Sequence, residues 1–181
     1  MRPRNARNTV VLLTHVAFKS QLALLAYLRE NGFRTYIVSG GGVDFVHLVC
    51  EHMYGIPREQ GIGSSVKLRV EMTEAGPVLV KTAELHSFDD PEAKVQNISV
   101  HIGRRAILAF GNSDGDLAML RCVKSGVGLR LALLLHQDDA AREAAYDREF
   151  MLSPLAEALD KADQYGITVV SVKRDWKVVF G

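Results

Sequence analysis

Little in this chain could staple it together or anchor it. It has two cysteines, Cys50 and Cys122, at no metal-ligand spacing, so neither a disulfide framework nor a zinc site organises the fold. Both sit among apolar residues at helical spacing, which predicts buried free thiols in a reducing compartment. No apolar run reaches the length needed to cross a bilayer, and no charged start, apolar stretch and small-residue cleavage site line up as a signal peptide. The chain reads as cytoplasmic. Neither sign of charge dominates: 22 Lys and Arg against 21 Asp and Glu leave a net charge of +1. That balance argues against nucleic acid or a membrane surface as partner. Arg2, Arg4 and Arg7 read as part of a solvated basic tail over residues 1–8. Repeats, low-complexity tracts and linkers are also missing. What is present, 181 residues of which 48% are hydrophobic and 24% charged, suffices for one globular domain with a full core.

The most informative stretch is Ala106 to Leu120, AILAFGNSDGDLAML. An unalternated apolar run closed by Gly and polar residues reads as a strand buried on both faces of a parallel sheet. A Gly-rich polar turn at the carboxyl end of such a strand, opening a helix, is where open α/β sheets bind ligands. Asn112, Asp114 and Asp116 crowd that turn, a set of oxygen donors suited to a divalent cation. A helix start decorated with Asp and Asn is the plainer reading.

Around this stretch the pattern is βαβα. Thr9 to Leu13 and Thr35 to Ser39 read as strands, the second broken by Gly40-Gly41-Gly42. Phe18 to Asn31 reads as a helix ended by Gly32, and Val43 to Met53 as one ended by Gly55. Residues 65–82 read as an inserted antiparallel hairpin, with strands Ser65–Glu71 and Val78–Thr82. Lys94 to His101 is expected to be helical, Leu131 to Leu135 a strand, and Ala140 to Phe150 and Pro154 to Tyr165 helices. Ile167 to Val172 and Lys177 to Phe180 complete the chain as strands, with Trp176 as a packing residue. Strands alternating with helices imply parallel pairing and helical crossovers.

Four strand ends carry polar or Gly-rich residues: Thr14-His15, Ser39 to Gly41, Asn112 to Asp116, and His136 to Asp139. In a parallel sheet these meet on one edge. Ser39 supplies a hydroxyl beside glycines whose N–H groups can approach an anion, and Lys94 a cation. Together they describe a phosphate-handling pocket. Singly, Ser39 reads equally well as a cap for the next helix and Lys94 as a solvated lysine. His136, Asp138 and Asp139 read either as substrate contacts or as a solvated loop in which Asp caps the helix from Ala140.

The order SGGGVDFV, then a lysine, then GNSDGDLAML resembles the second, third and fourth motifs of the haloacid dehalogenase-type phosphatases. Within them it is closest to the phosphoserine phosphatase-like branch, and the resemblance spans Phe18 to Phe180. It implies an α/β, Rossmann-like three-layer parallel sheet carrying the inserted hairpin, here without a cap domain. It further implies Mg²⁺ and an aspartate nucleophile that becomes phosphorylated. By the same resemblance Ser39, with Gly40 and Gly41, binds phosphate, and Lys94 neutralises the phosphoryl group. Asn112, Asp114 and Asp116 are left to hold the metal, with Asn112 where many relatives carry Asp. The implied partner is a small phosphorylated metabolite.

One part of the pattern is missing. The family's first motif, an apolar strand ending D-x-D-x-T, supplies the nucleophile, and nothing in the chain fits it: Asp114-Gly115-Asp116 has the spacing but lies in the fourth motif. Without that carboxylate the covalent route has no first step. Two explanations stand. Either the chain is the C-terminal part of a longer phosphatase, with an apolar slot between the Tyr36 and Ala109 strands, or Val10 to Leu13 fills that slot. In the second case Thr14, Val16 and Phe18 replace the motif residues and a turn at His15 to Lys19 replaces the cap. The second leaves no exposed apolar edge; the first would favour self-association. A third reading makes His15 a substitute nucleophile. The expected function is a Mg²⁺-dependent phosphomonoester hydrolase, or a truncated form inactive as this chain. The alternative is a non-catalytic phosphate-binding or interaction module.

Overall fold

The computed structural model describes residues 17–142, 148–149, 151 and 154–180. The strand expected at Thr9 to Leu13, and with it Thr14, His15 and Val16, lies outside them.

The first described unit is built on helix α1 (Lys19–Glu30), strand β1 (Ile37–Gly42) and helix α2 (Val43–Tyr54). Helix α2 buries Val46 and Cys50, with Ile56 beyond its end, against Leu25 of α1 and Ile37 of β1. Gly55 closes α2 in the left-handed conformation, at φ +59°, a geometry that lacks the Cβ penalty only for glycine. Strand β2 (Gly61–Thr73) then plays two parts. Its start pairs in parallel with β1, in the register Ile37 with Gly61, Val38 with Ile62 and Ser39 with Gly63. Its remainder pairs antiparallel with β3 (Gly76–Ser87). The expected hairpin is therefore longer than residues 65–82 and is not a separate insert, because the parallel sheet and the hairpin share one strand. The glycine triplet does not break β1 either. The strand runs to Gly42 with a register shift after Ser39, and α2 begins at the next residue. A Cβ on Gly63 would lie 2.7 Å from the Gly41 carbonyl oxygen and 3.0 Å from the Val43 Cα, so the close approach of β2 beneath this corner requires glycine.

Helix α3 (Pro91–Ile102) leads into the second sheet, β4 (Leu108–Gly111), β5 (Leu131–His136) and β6 (Thr168–Ser171), all parallel in that order. Helix α4 (Leu117–Lys124) and the short helix α5 (Glu157–Lys161) pack on it. Their interface is apolar: Ala109, Ala132 and Leu134 from the strands meet Leu120 and Val123 of α4, Ala158 of α5, and Leu155. Each fully buried Leu here contributes about 1.5–3 kcal/mol of transfer free energy. A smaller cluster joins Leu135, Val172, Trp176 and Val179 to Phe18. Trp176 is thus a packing residue, its ring edge-on to Phe18 at 5.1 Å between centroids.

The architecture is a Rossmann-like α/β fold of mainly parallel strands and helices, with β3 antiparallel to its neighbour. Among the described residues the strands fall into two three-stranded sheets, not one, and β1 and β4 are not paired. Several ends differ from expectation. Lys177 to Phe180 forms a single bridge from Phe180 to Phe18, not a strand. Val172 opens a short helix, α6 (Val172–Asp175), instead of ending β6. The helix expected over Pro154 to Tyr165 is reduced to α5 and a 3₁₀ turn at Asp163–Tyr165. Residues 140–142 are a turn, and most of the remaining segment to Phe150 lies outside the described residues. Cys50 is buried as expected, whereas Cys122 is only half-buried. Among the described residues, no helix is long and apolar enough to cross a membrane.

Candidate functional site

Helix α3 starts where its sequence fixes it. Pro91 sits in the first turn, and the Asp90 carboxylate accepts from the N–H groups of Glu92 at 3.1 Å and Ala93 at 2.8 Å. Asp before Pro is a recognisable helix start, so the helix begins three residues before Lys94, the residue expected to open it. Lys94 consequently lies one turn inside α3, and its side chain turns into the protein. The Lys94 ammonium donates to Asp116 Oδ1 at 2.7 Å, with side-chain exposures of 11% and 8%. The solvated-lysine reading is thereby set aside.

Asp116 is positioned by its own turn. Its Oδ2 accepts from the Asn112 N–H at 2.8 Å and the Ser113 hydroxyl at 3.3 Å. The turn closes over Gly111, where a Cβ would fall 2.4 Å from the Asp116 Cβ. No side chain fits there. This links the end of β4 to the first turn of α3 through one desolvated ion pair, which needs its full set of hydrogen bonds to offset the loss of water.

Ser39 lies on β1, and its Oγ accepts from the Gly41 N–H at 3.1 Å, leaving the hydroxyl hydrogen to donate outward. Gly40 and Gly41 are exposed. Their corner is pinned from below: the Ser64 hydroxyl donates to the Gly40 carbonyl at 2.8 Å and accepts from the Asp89 N–H at 3.0 Å. Helix α3 packs against both β1 and the Asp114–Asp116 turn. The β1 corner thus carries a hydroxyl and exposed glycines, and helix α3, which packs on β1, carries an ammonium held by a carboxylate; hydroxyl, N–H and ammonium are all donors that an anion accepts from.

The expected cation ligands do not stay together. Asp114 directs its carboxylate to the start of α5. It accepts there from the N–H groups of Ala156 at 3.1 Å, Glu157 at 3.2 Å and Ala158 at 2.8 Å. A carboxylate satisfying orphan helix donors, at the positive end of the helix dipole, is engaged structurally. Asn112 is exposed, and Asp116 is already paired with Lys94. Among the described residues no group of three or more His, Cys, Asp or Glu side chains is arranged to hold a metal ion. One ion-paired carboxylate and one amide do not match the donor set of a protein-held Mg²⁺. These residues alone therefore do not fit the cation.

At the β5 end, Asp138 and Asp139 are also engaged. Burial acts to raise the Asp138 carboxyl. The Ser171 hydroxyl at 2.6 Å and the Lys173 N–H at 2.9 Å outweigh it and hold the group below the usual range. Asp139 is held low by the Arg142 guanidinium that pairs with it, and it caps the N–H groups of Ala141 and Arg142.

Two residues that the sequence pattern did not single out belong to this edge. Ser64 ties β2 to the Gly40 corner through the two hydrogen bonds of its hydroxyl. Asp89 is 2% exposed. Its Oδ1 accepts from the Asn97 amide at 2.9 Å, while its Oδ2 is buried without a hydrogen-bond partner. Burial pushes its carboxyl above the usual range, against the pull of Asn97 and the Lys94 charge. In Phe88-Asp89-Asp90-Pro91 the signal for Asp90 as a cap was present; nothing local distinguishes Asp89 from a solvated loop residue.

No family model matches the chain, and no curated protein matches it. Among solved structures, a conserved protein of unknown function from Anaerococcus prevotii DSM 20548 aligns with a TM-score of 0.57 and 24% identity. That alignment covers 86% of this chain and 37% of the other, so the chain spans little more than a third of the protein whose fold it shares. A phosphoserine phosphohydrolase-like protein from Francisella tularensis subsp. tularensis SCHU S4 aligns with a TM-score of 0.44 and 17% identity, over 66% of this chain and 51% of its own.

Proposed function

We propose that this chain is the phosphate-binding part of a haloacid dehalogenase-type phosphatase, acting on a small phosphomonoester. The observation that carries the reading is the buried Lys94–Asp116 pair. The two residues are 22 apart in sequence, and they belong to the two motifs whose order suggested the family. In this reading Lys94, held in place by Asp116, neutralises the phosphoryl group, while the Ser39 hydroxyl and the Gly40–Gly41 corner bind its oxygens. A desolvated ammonium supplies far more to a phosphate than one in water, because the local dielectric is low. Mg²⁺ is assigned no step, since the described residues do not form its site.

These 181 residues contain no D-x-D-x-T sequence, and that absence favours the second reading, a phosphate-binding module without catalysis, for the chain taken alone. An assay with p-nitrophenyl phosphate, run with Mg²⁺ and again with EDTA, separates the two. The expected result is no turnover above background under either condition. Mg²⁺-dependent turnover that is lost in Lys94→Ala would overturn the non-catalytic reading and make the chain a hydrolase in its own right.

A further inference from the structure

A cavity lies apart from the phosphate edge, beside helix α3. It is a half-open cleft of about 360 Å³ between α3 and α4, within the size range of small-molecule sites. Val95 and Ile98 of α3 and Met119 and Val123 of α4 form its walls, with Arg104 and Arg105 also lining it. None of its lining residues is acidic, and none is a residue of the phosphate edge.

The two arginines differ. Arg105 is tied down, donating to the Cys122 carbonyl at 3.2 Å and the Ser125 hydroxyl at 2.9 Å. Arg104 is exposed, and its guanidinium enters no hydrogen bond or ion pair among the described residues. The end of α3 contributes only about half a negative charge nearby, against two full positive charges. The lining thus combines an apolar wall with an exposed planar donor fork that no protein group engages among the described residues, which is matched by a carboxylate. A cation is repelled by the same groups, and an uncharged apolar molecule leaves the fork unused.

We infer that this cavity binds a small amphiphilic monocarboxylate, with its hydrocarbon body between α3 and α4 and its carboxylate on Arg104. The half-buried thiol of Cys122 lines the cavity, and Cys50, fully buried elsewhere, serves as an internal control.

The test measures alkylation of both thiols by iodoacetamide, read by mass spectrometry, in the presence of octanoate, octanol or acetate at equal concentration. Octanoate is expected to slow modification of Cys122 several-fold and to leave Cys50 unchanged, with acetate inert and octanol much weaker. Arg104→Ala, a substitution at an exposed position, is expected to weaken octanoate protection roughly tenfold, the size of one charge-assisted hydrogen bond. Absence of protection, equal protection by octanol, protection unchanged in Arg104→Ala, or parallel slowing of Cys50 would each overturn the assignment. None of these readouts depends on phosphate binding or turnover.

Discussion

Replacing Lys94 with methionine keeps most of the side-chain volume and removes the charge, and the geometry of the pair sets the cost. The Asp116 carboxylate, 8% exposed, loses the ammonium at 2.7 Å from its Oδ1. Its Oδ2 retains the Asn112 N–H and the Ser113 hydroxyl, so the anion is not wholly abandoned. Breaking a buried pair by removing one partner costs about 3–5 kcal/mol, and the surviving hydrogen bonds place this case near the lower end, about 3 kcal/mol. For a chain of this size that is a fall of roughly 6–12 °C in the unfolding midpoint. Urea denaturation of wild type, Lys94→Met, Asp116→Asn and the double variant measures the coupling directly. The double variant should be about 2 kcal/mol more stable than the sum of the single losses, because neither partner is then left charged and alone. Additive losses, or a Lys94→Met loss below about 0.5 kcal/mol, would refute the account of this pair as a desolvated link between α3 and β4.

Asp114→Ala should destabilise the fold by about 1–2 kcal/mol through loss of the acceptor at the start of α5, with faster amide exchange at Ala156 to Ala158. Retention of those protection factors would contradict the capping role. Asp89→Asn keeps an acceptor for Asn97 and removes a buried charge whose Oδ2 has no hydrogen-bond partner, so it should be more stable than wild type by about 1 kcal/mol near neutral pH. The sign comes from linkage. The Asp89 carboxyl is raised in the folded state, so its contribution is greatest below the unfolded value and is lost as pH rises through the folded one. The advantage of the variant should therefore shrink toward pH of about 4, and an advantage that grows on acidification would contradict the assignment.

How far the sequence could be read varied with the range of the signal. Helix α2 was legible from apolar spacing and its closing Gly55, the body of α3 but not its start at Pro91, and the β4 strand from its unbroken apolar run into Gly111. Lys94, Asp116 and Ser39 were legible as candidates because motif order is a sequence property. Their partners were not. Asp114 and Asp116 look equivalent in GNSDGD, yet one caps α5 and the other pairs with Lys94, a division set by chain segments more than 20 residues away. The double role of β2, parallel to β1 at its start and antiparallel to β3 beyond, was hidden for a related reason. Alternation over Ser65 to Glu71 marks the antiparallel part, but Gly61 to Gly63 has too little side chain to signal the parallel part. The same glycines make the close approach possible, Gly63 beneath Gly41 and Val43 and Gly61 against His47 and Cys50. At the end of the chain Val179 packs with Trp176 and Phe180 stacks on Phe18, so the apolar character of this segment serves packing and not a sheet strand.

Binding of a phosphoryl group by Ser39, the glycine corner and Lys94, as proposed, is read by thermal unfolding in increasing inorganic phosphate, against chloride at matched ionic strength. Binding to the folded state raises stability by about 2.7 kcal/mol when the ligand reaches a hundred times its dissociation constant. The midpoint is expected to rise saturably with phosphate, and less in Ser39→Ala, a substitution that leaves the buried pair intact. A midpoint indifferent to phosphate, or an equal rise in Ser39→Ala, would contradict that binding.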